Sequence, residues 1–374
     1  MFIGGRKENS VKFKQLLIFS FSSFSILFTS NILAQENLAL RREIEKIILH
    51  DTDISDSPIP GFIIGVVDHQ QISISSFGSI YPDSVVLPSD TILFELGGLT
   101  KVFTAHISHI LALAGQLDLN APINTYLDDR HQNIFLKDIT VKNLLTHTSG
   151  FPTHPSNLGQ YQPVGKTPYE TYTQTELLIY LKSIEHASPG KYVYSHLNYA
   201  LLEIILEQIT HKSLDELLQR YITKPYGMTR TCFNCTRTIP APGYDRTGRI
   251  TTPWVYESFE ASLGLKSSML DLCSYMQRVL NDSLNDSFRS MLAPYTRIGD
   301  SKKAYVADGW HLFKNKKRPF VYLHSGKTSG HAASIHFVKE TKTAVILITN
   351  SIGKMDGLAT LVLRLVNNNW QRNG

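Results

Sequence analysis

A lysine, a tyrosine and a histidine in three separate segments are the residue types from which acyl-transfer chemistry could be assembled. In FELGGLTK, Phe94 to Lys101, positions 98 and 101 stand three apart at the start of a helical pattern, so they share a face and lie within hydrogen-bond reach. A serine at 98 could be activated by a lysine kept neutral through burial and neighbouring charge, while N–H groups of the helix start met a developing oxyanion. The chain places Gly98 there, with no side-chain atom that could attack. Thr100 does not replace it, being rotated about 100° from Lys101 around the helix. In YSHLN, Tyr194 to Asn198, a phenol stands ahead of a helix. With its pKa lowered by a nearby ammonium, it could take a proton from a nucleophile and return it to a leaving group. In LHSGKTSGH, a strand pattern carries His324, Ser325 and Gly326. A basic group, a hydroxyl for a carboxylate and a glycine that lets a backbone come close suit an anionic, peptide-like ligand. Each of the last two signals is weak alone, since a lone tyrosine before a helix usually serves packing.

The elements that must position these groups are legible in the apolar periodicity. Leu99, Phe103, Ile107, Ile110, Leu111 and Ala114 recur at helical spacing, and Gly115 stands where a helix end wants positive φ. That helix is expected to begin at Gly98. NYALLEIILEQIT and SLDELLQRYI read as two further helices, and LALRREIEKIILH as an amphipathic helix expected to pack on a sheet. PGFIIGVVDHQ and QISISSFGSI form an antiparallel hairpin turning at about His69 to Gln71. AYVADGWHLF, RPFVYLHSGK, HAASIHFVKE and TAVILITN are strands, followed by the helix MDGLATLVLRLVNN. The expected fold class is α+β: a mostly antiparallel sheet built from both ends of the chain, flanked by N- and C-terminal helices. The expected boundaries are a signal peptide at 1–34, a mixed sheet domain at 35–95 plus 291–374, and an inserted all-helical domain at 96–290. The site is expected at their junction.

Taken together and in order, FELGGLTK, GQLDLNAPINTYL, ITVKNLLTHTSGFP, YVYSHLNYALLEIILEQIT, YITKPYGM, GLKSSMLDL and LHSGKTSGH resemble the serine β-lactamase and penicillin-binding-protein superfamily over nearly the whole chain after the leader. Class C β-lactamases and the related DD-peptidases and esterases are the nearest part of it. The resemblance implies the catalytic lysine at Lys101, the catalytic tyrosine at Tyr194, and a ligand-recognising strand at His324, Ser325, Gly326 and Lys327. It further implies an oxyanion hole from the N–H groups of residues 98 and 327. Three departures accompany it. Gly98 stands where the family has its nucleophilic serine, His196 where it has the asparagine of its YxN motif, and His324 where class C β-lactamases have lysine. Histidine at that last place resembles some DD-peptidases and esterases.

The chain has 374 residues, 42% hydrophobic and 18% charged, the composition of an ordinary globular protein. Arg6, Lys7, Lys12 and Lys14 precede an apolar, serine-punctuated run from Leu16 to about Leu33, the layout of a secretory signal peptide, or of a retained anchor if uncleaved. Export to the periplasm or medium is therefore expected, with no membrane span after that segment. Removing 1–34 leaves 33 basic against 31 acidic residues, +2 where the whole chain has +5, which gives a nucleic-acid partner no support. Lys314, Lys316, Lys317 and Arg318 read as a solvated hairpin tip. Cys232 and Cys235 are either a local disulfide or two ordinary thiols, with Cys273 left over. His106 and His109, and His147 and His154, make no recognisable ligand set, so neither a metal nor a cofactor is expected.

A glycine inside a helix costs about 1 kcal/mol relative to alanine, so helix stability does not account for Gly98, and a crowded junction does. The leading expectation is an exported homologue with crippled covalent acyl transfer that keeps a pocket for D-amino-acid cell-wall peptides or like ligands. One alternative is a working hydrolase of a β-lactam, ester or peptide. It would use a water held between Lys101 and Tyr194, or belong to a lineage with serine at 98. The other alternative is a non-catalytic module of the cell envelope.

Overall fold

The computed structural model describes residues 37–50 and 61–373, apart from 83, 162–166, 168, 236–238, 283–284, 315–317, 353–354 and 356. The leader reading at 1–34 and the lysines at 316 and 317 lie outside them. The chain divides into a unit ending at Thr52 and a unit Asp53–Gly374. In the first, residues 37–50 form helix α1, with Arg41 and Glu45 paired at 3.0 Å one turn apart.

The second unit is organised on an eight-stranded antiparallel sheet. Its strands are β1 (Gly61–Asp68), β2 (Gln71–Gly78), β7 (Thr296–Arg297), β8 (Ala304–Ala307), β9 (Trp310–Lys314), β10 (Phe320–Lys327), β11 (Ala332–Val338) and β12 (Thr343–Thr349), in the spatial order β2-β1-β12-β11-β10-β9-β8-β7. Two short pairs lie outside it, β3 (Phe94–Glu95) with β6 (Lys266–Ser267) and β4 (Gly243–Tyr244) with β5 (Ile250–Thr251). Sequence pattern dictates the order. The runs AASIHFV and TAVILIT are mostly apolar and every residue of them is buried, as central strands require. QISISSFG alternates and is only half-buried, as an edge strand is. The expected hairpin of β1 and β2 is present, its turn at His69 held at φ 52°. The two ends of the chain meet where β1 pairs with β12, Phe62 opposite Thr349.

Between β2 and β7 the chain carries helices α2 (Thr100–Leu113), α3 (Val141–Leu145), α4 (Gln174–Lys182), α5 (His196–Thr210), α6 (Leu214–Leu218), α7 (Lys224–Tyr226), α8 (Met269–Asn281) and α9 (Asp286–Ser290), joined by long loops, and α10 (Leu358–Asn373) follows β12. Helix α8 packs on β1 and β12, where the sulfurs of Cys273 and Met269 press against Gly65. Helix α10 packs on β11 and β12. Gly115 ends α2 at φ 69°, the left-handed conformation its position called for. The run expected as one helix from Ser213 is interrupted. After α6 the backbone loosens into a π turn at Gln219–Thr223 before α7 resumes. Helix α5 starts at His196 because the Ser195 side chain accepts the N–H of Asn198, which caps it. It is buried continuously from Leu197 to Leu206, so its first turn is fixed by the core. Cys232 and Cys235 are joined as a disulfide, and Cys273 is a buried free thiol.

Candidate active site

Position 98 is set by what holds the turn before it. β3 leads into a 3-10 turn, Gly97–Leu99, that runs into α2. Glu95 anchors this entry. It accepts from the Thr328 hydroxyl at 2.7 Å and the Trp254 N–H at 3.1 Å, and pairs with His331 at 3.2 Å. Burial pushes its carboxyl up, but the bond and charge of His331, with Thr328 and Lys266, outweigh burial and leave it below the usual carboxylate range. The turn therefore lies against the far end of β10. There β9 no longer pairs, its ladder stopping at Leu323 opposite His311.

Gly326 is what allows that approach. A Cβ there would run into the carbonyl of Leu96 and the amides of Gly98 and Leu99. The glycine thus accommodates the chain's own turn, where the sequence suggested room for a ligand backbone. All three obstacles are backbone atoms, so Gly326→Ala is expected to cost 3 kcal/mol or more, above the ~1–3 kcal/mol of ordinary overpacking. A urea denaturation midpoint unchanged from that of the parent would contradict this.

Lys101, in the first turn of α2, is fully buried. Its Nζ donates to the Ser262 carbonyl at 3.0 Å and lies 2.9 Å from His196 Nδ1, over the faces of Tyr194 and Tyr199 at 5.1 and 5.5 Å. Burial pushes the ammonium pKa well below its ordinary value. Tyr194 stands immediately before the cap of α5, and its Oη is 2.8 Å from where a Cβ at position 98 would sit. Burial, then Tyr192 and Tyr169, push the phenol up. The lowered phenol pKa expected from the sequence is thus reversed, because burial penalises the charged phenolate. The space beside Gly98, where a water between Lys101 and Tyr194 was expected, is tight, since even a bare Cβ would crowd Tyr194 Oη.

Histidines surround this phenol. His196 stacks on His154 at 5.0 Å, meets the Tyr194 ring edge-on at 5.2 Å, and places Nδ1 3.1 Å from the Ser262 hydroxyl. His154 Nε2 is 2.9 Å from the Tyr169 hydroxyl. His147, held at φ 56°, accepts the Ser195 N–H on Nδ1 at 3.1 Å, with its ring 4.5 Å from that of Tyr194. His311 on β9 bonds the Tyr192 hydroxyl through Nε2 at 2.7 Å and lies 5.3 Å from His324. His324 donates from Nδ1 to the Gly309 carbonyl at 2.6 Å, and its buried Nε2 meets no hydrogen-bond partner among the described residues. Burial pushes all five imidazoles down, His147, His196 and His324 well below the ordinary value and His311 to about 4. His324 is consequently an acceptor at Nε2, where the sequence suggested a cationic partner for an anion.

Gly98, Lys101, Tyr194, His196, His324 and Gly326 are thus brought together. The side chains of Ser325 and Lys327 are exposed, and strand alternation puts them on the face of β10 opposite His324. Only their backbone borders the site, the Ser325 carbonyl lying 3.2 Å from a Cβ at 98. Sequence reasoning missed Ser262, in the π turn Glu260–Gly264, and His311. It saw His147 and His154 but gave them no part in the site. His106 and His109 serve elsewhere, bonded to Tyr275 and Ser287 and to Ser290 and Asp308 respectively.

A family model described as Beta-lactamase matches residues 53–367. The chain is 27% identical over 327 residues to Protein flp of Staphylococcus aureus (strain N315), an alignment covering 83% of this chain and 63% of that protein, so less than two thirds of that relative is represented. Among solved structures, it resembles the octameric penicillin-binding protein homologue from Pyrococcus abyssi, with TM-score 0.75, 24% identity and coverage of 87% and 77% of the two chains. It also resembles a beta-lactamase/D-alanine carboxypeptidase from Yersinia pestis, solved with citrate, with TM-score 0.72, 24% identity and coverage of 87% and 98%. Likeness at those identities establishes the expected fold: an antiparallel sheet with helices.

Proposed function

The chain belongs to the beta-lactamase family, and from that premise we propose that it is an exported homologue that forms no acyl-enzyme and keeps its cleft as a binding site for D-amino-acid cell-wall peptides or like ligands. One observation carries this reading: where the family's nucleophile would begin, Tyr194 Oη stands 2.8 Å from the Cβ position, and Gly98 supplies nothing to attack. The rest of the machinery is tied up accordingly. The Lys101 amine is spent on His196 and the Ser262 carbonyl. The Tyr194 phenol is held protonated by burial.

The character of the ligand follows from His324. With Nδ1 donating to Gly309, its Nε2 offers a lone pair, so the group that meets it must be a donor such as a peptide N–H. This favours amide-containing stems over a free carboxylate at that point. The leader at 1–34 supports passage to the periplasm or medium. The test is direct: intact mass spectrometry of the protein after exposure to a fluorescent penicillin and to an activated ester should show no adduct. Calorimetry with a D-amino-acid stem peptide should show binding. An adduct would overturn the first half of the proposal, and absence of binding the second.

A further inference from the structure

Glu203 stands in the middle of the stretch of α5 that the core covers from Leu197 to Leu206, and is itself 4% exposed. A carboxyl so placed ordinarily has a cation beside it. The titratable groups that face Glu203 are instead carboxyls, Glu207 one turn along the helix and Glu260 on the adjoining turn, with the Gln174 side chain of α4 as a neutral neighbour. Burial, aided by Glu260 and Glu207 against the bond from Ala261, raises its pKa to about 8, so it is mostly uncharged at neutral pH.

Its Oε2 accepts the Ala261 N–H at 2.9 Å, and that bond falls on a strained segment. Phe259, fully buried, is held at φ 70°, which a bulky side chain rarely adopts, and the N–H groups of Ser262 and Leu263 both turn back to its carbonyl at 3.0 Å. Such a backbone persists where its surroundings over-determine it. From α2, the helix of Lys101, the Thr104 hydroxyl donates to the Ala261 carbonyl at 2.7 Å and the Thr100 hydroxyl accepts the Leu265 N–H at 3.1 Å. From α5, the helix of His196, Glu203 supplies the matching hold on the Ala261 N–H. The turn is thereby fixed to both helices whose side chains it serves.

We infer that Glu203 is a positioning residue of the cleft: by holding Ala261 it keeps the next residue, Ser262, with its carbonyl on the Lys101 amine and its hydroxyl on His196 Nδ1. Without that hold the turn relaxes at Phe259, and the amine and the imidazole each lose a partner. A protonated carboxyl suits the task, since it accepts the N–H without leaving an unpaired charge in the core. Glutamine, with the same oxygen and no charge, should serve in its place, and leucine, of like size with no acceptor, should not. The inference rests on the engaged amine described for the cleft and not on the ligand the cleft takes, because every readout is made on the unliganded protein.

NMR of the protein labelled with ¹⁵N in alanine and histidine tests it. In the parent the Ala261 amide should titrate with a midpoint at about 8, and the His196 Nδ1 resonance should follow that step. Glu203→Gln should abolish the step at both nuclei, leaving at Ala261 the one near 7 that belongs to Glu260, and should keep His196 Nδ1 at its neutral-pH position in the parent. Glu203→Leu should speed exchange of the Ala261 amide about tenfold or more, the loss of one net hydrogen bond, and should shift His196 Nδ1 in the direction set by Ser262→Ala, which removes the hydroxyl outright. An Ala261 amide that does not titrate near 8, or a His196 Nδ1 unmoved in Glu203→Leu while that amide exchanges faster, would overturn the proposal. The second result would make Glu203 a support of the turn alone. If the leucine variant does not fold, the titration decides, because His196 Nδ1 must follow the Ala261 step in the parent and not in Glu203→Gln.

Discussion

Gly98→Ser is expected to become acylated by a fluorescent penicillin or an activated ester, giving the corresponding mass adduct where the parent protein gives none. Loss of a serine nucleophile costs on the order of 10⁶ in kcat, so even partial restoration should raise the acylation rate by about 10³ or more. The new Cβ begins 2.8 Å from Tyr194 Oη and 3.2 Å from the Ser325 carbonyl. The first neighbour is the far end of a side chain and can retreat by a few tenths of an ångström, which leaves the hydroxyl beside both phenol and amine. Restoration should be incomplete because Lys101 Nζ is already engaged by His196. Gly98→Ser/His196→Asn, which removes that imidazole, should therefore acylate faster than the single variant. If both variants keep the parent's melting temperature and neither gains an adduct, the missing serine is not what silences the site.

Stability should collapse on mild acidification. Six imidazoles are pushed below their ordinary value by burial: His106 to about 3, His311 to about 4, His147, His196 and His324 well down, and His154 less so. Each is neutral in the folded chain and titrates near 6.5 when unfolded, so below that pH the unfolded chain binds the more protons. Their contribution is complete above about pH 6.5 and is lost as pH falls. Glu203 and Glu260 act in the opposite sense, because burial raises them to about 8 and about 7 and the folded chain therefore binds the more protons as pH falls from there towards 4.5. Two carboxyls offset two of the six imidazoles. With six imidazoles against two carboxyls, the unfolded chain binds the more protons below about pH 6.5, so stability falls with pH there. The urea midpoint should fall steeply between pH 7.5 and 5.5, and His106→Gln, remote from the cleft, should make the fall shallower. Identical midpoints at the two pH values would refute the assignment of neutral buried histidines.

Much of this was legible before any coordinates. The uninterrupted apolar runs of β11 and β12 and the alternation of β2 fixed centre and edge, and the i to i+3 spacing of Gly98 and Lys101 placed both in one cleft. What escaped was whatever depends on burial or on irregular backbone. No pattern in EASLG announces a π turn that turns the Ser262 carbonyl and hydroxyl towards Lys101 and His196. The charge states of Tyr194, His324 and Lys101 are set by how completely the surrounding core excludes water, which residue identity does not encode. The outward direction of Ser325 and Lys327 could have been found, because His324 on the inner face fixes the alternation of its strand.

Gly61 and Asn350, 289 positions apart, are hydrogen-bonded, and the neighbouring strands pair along their whole length. A chain emerging from the ribosome would hold the β1–β2 hairpin with one edge open until β12 had been made. Until then that edge is a template for any other nascent chain. Truncation before residue 343 should therefore give aggregation rather than a smaller folded protein, and a circular permutant joining the two strands directly should reach the native state sooner.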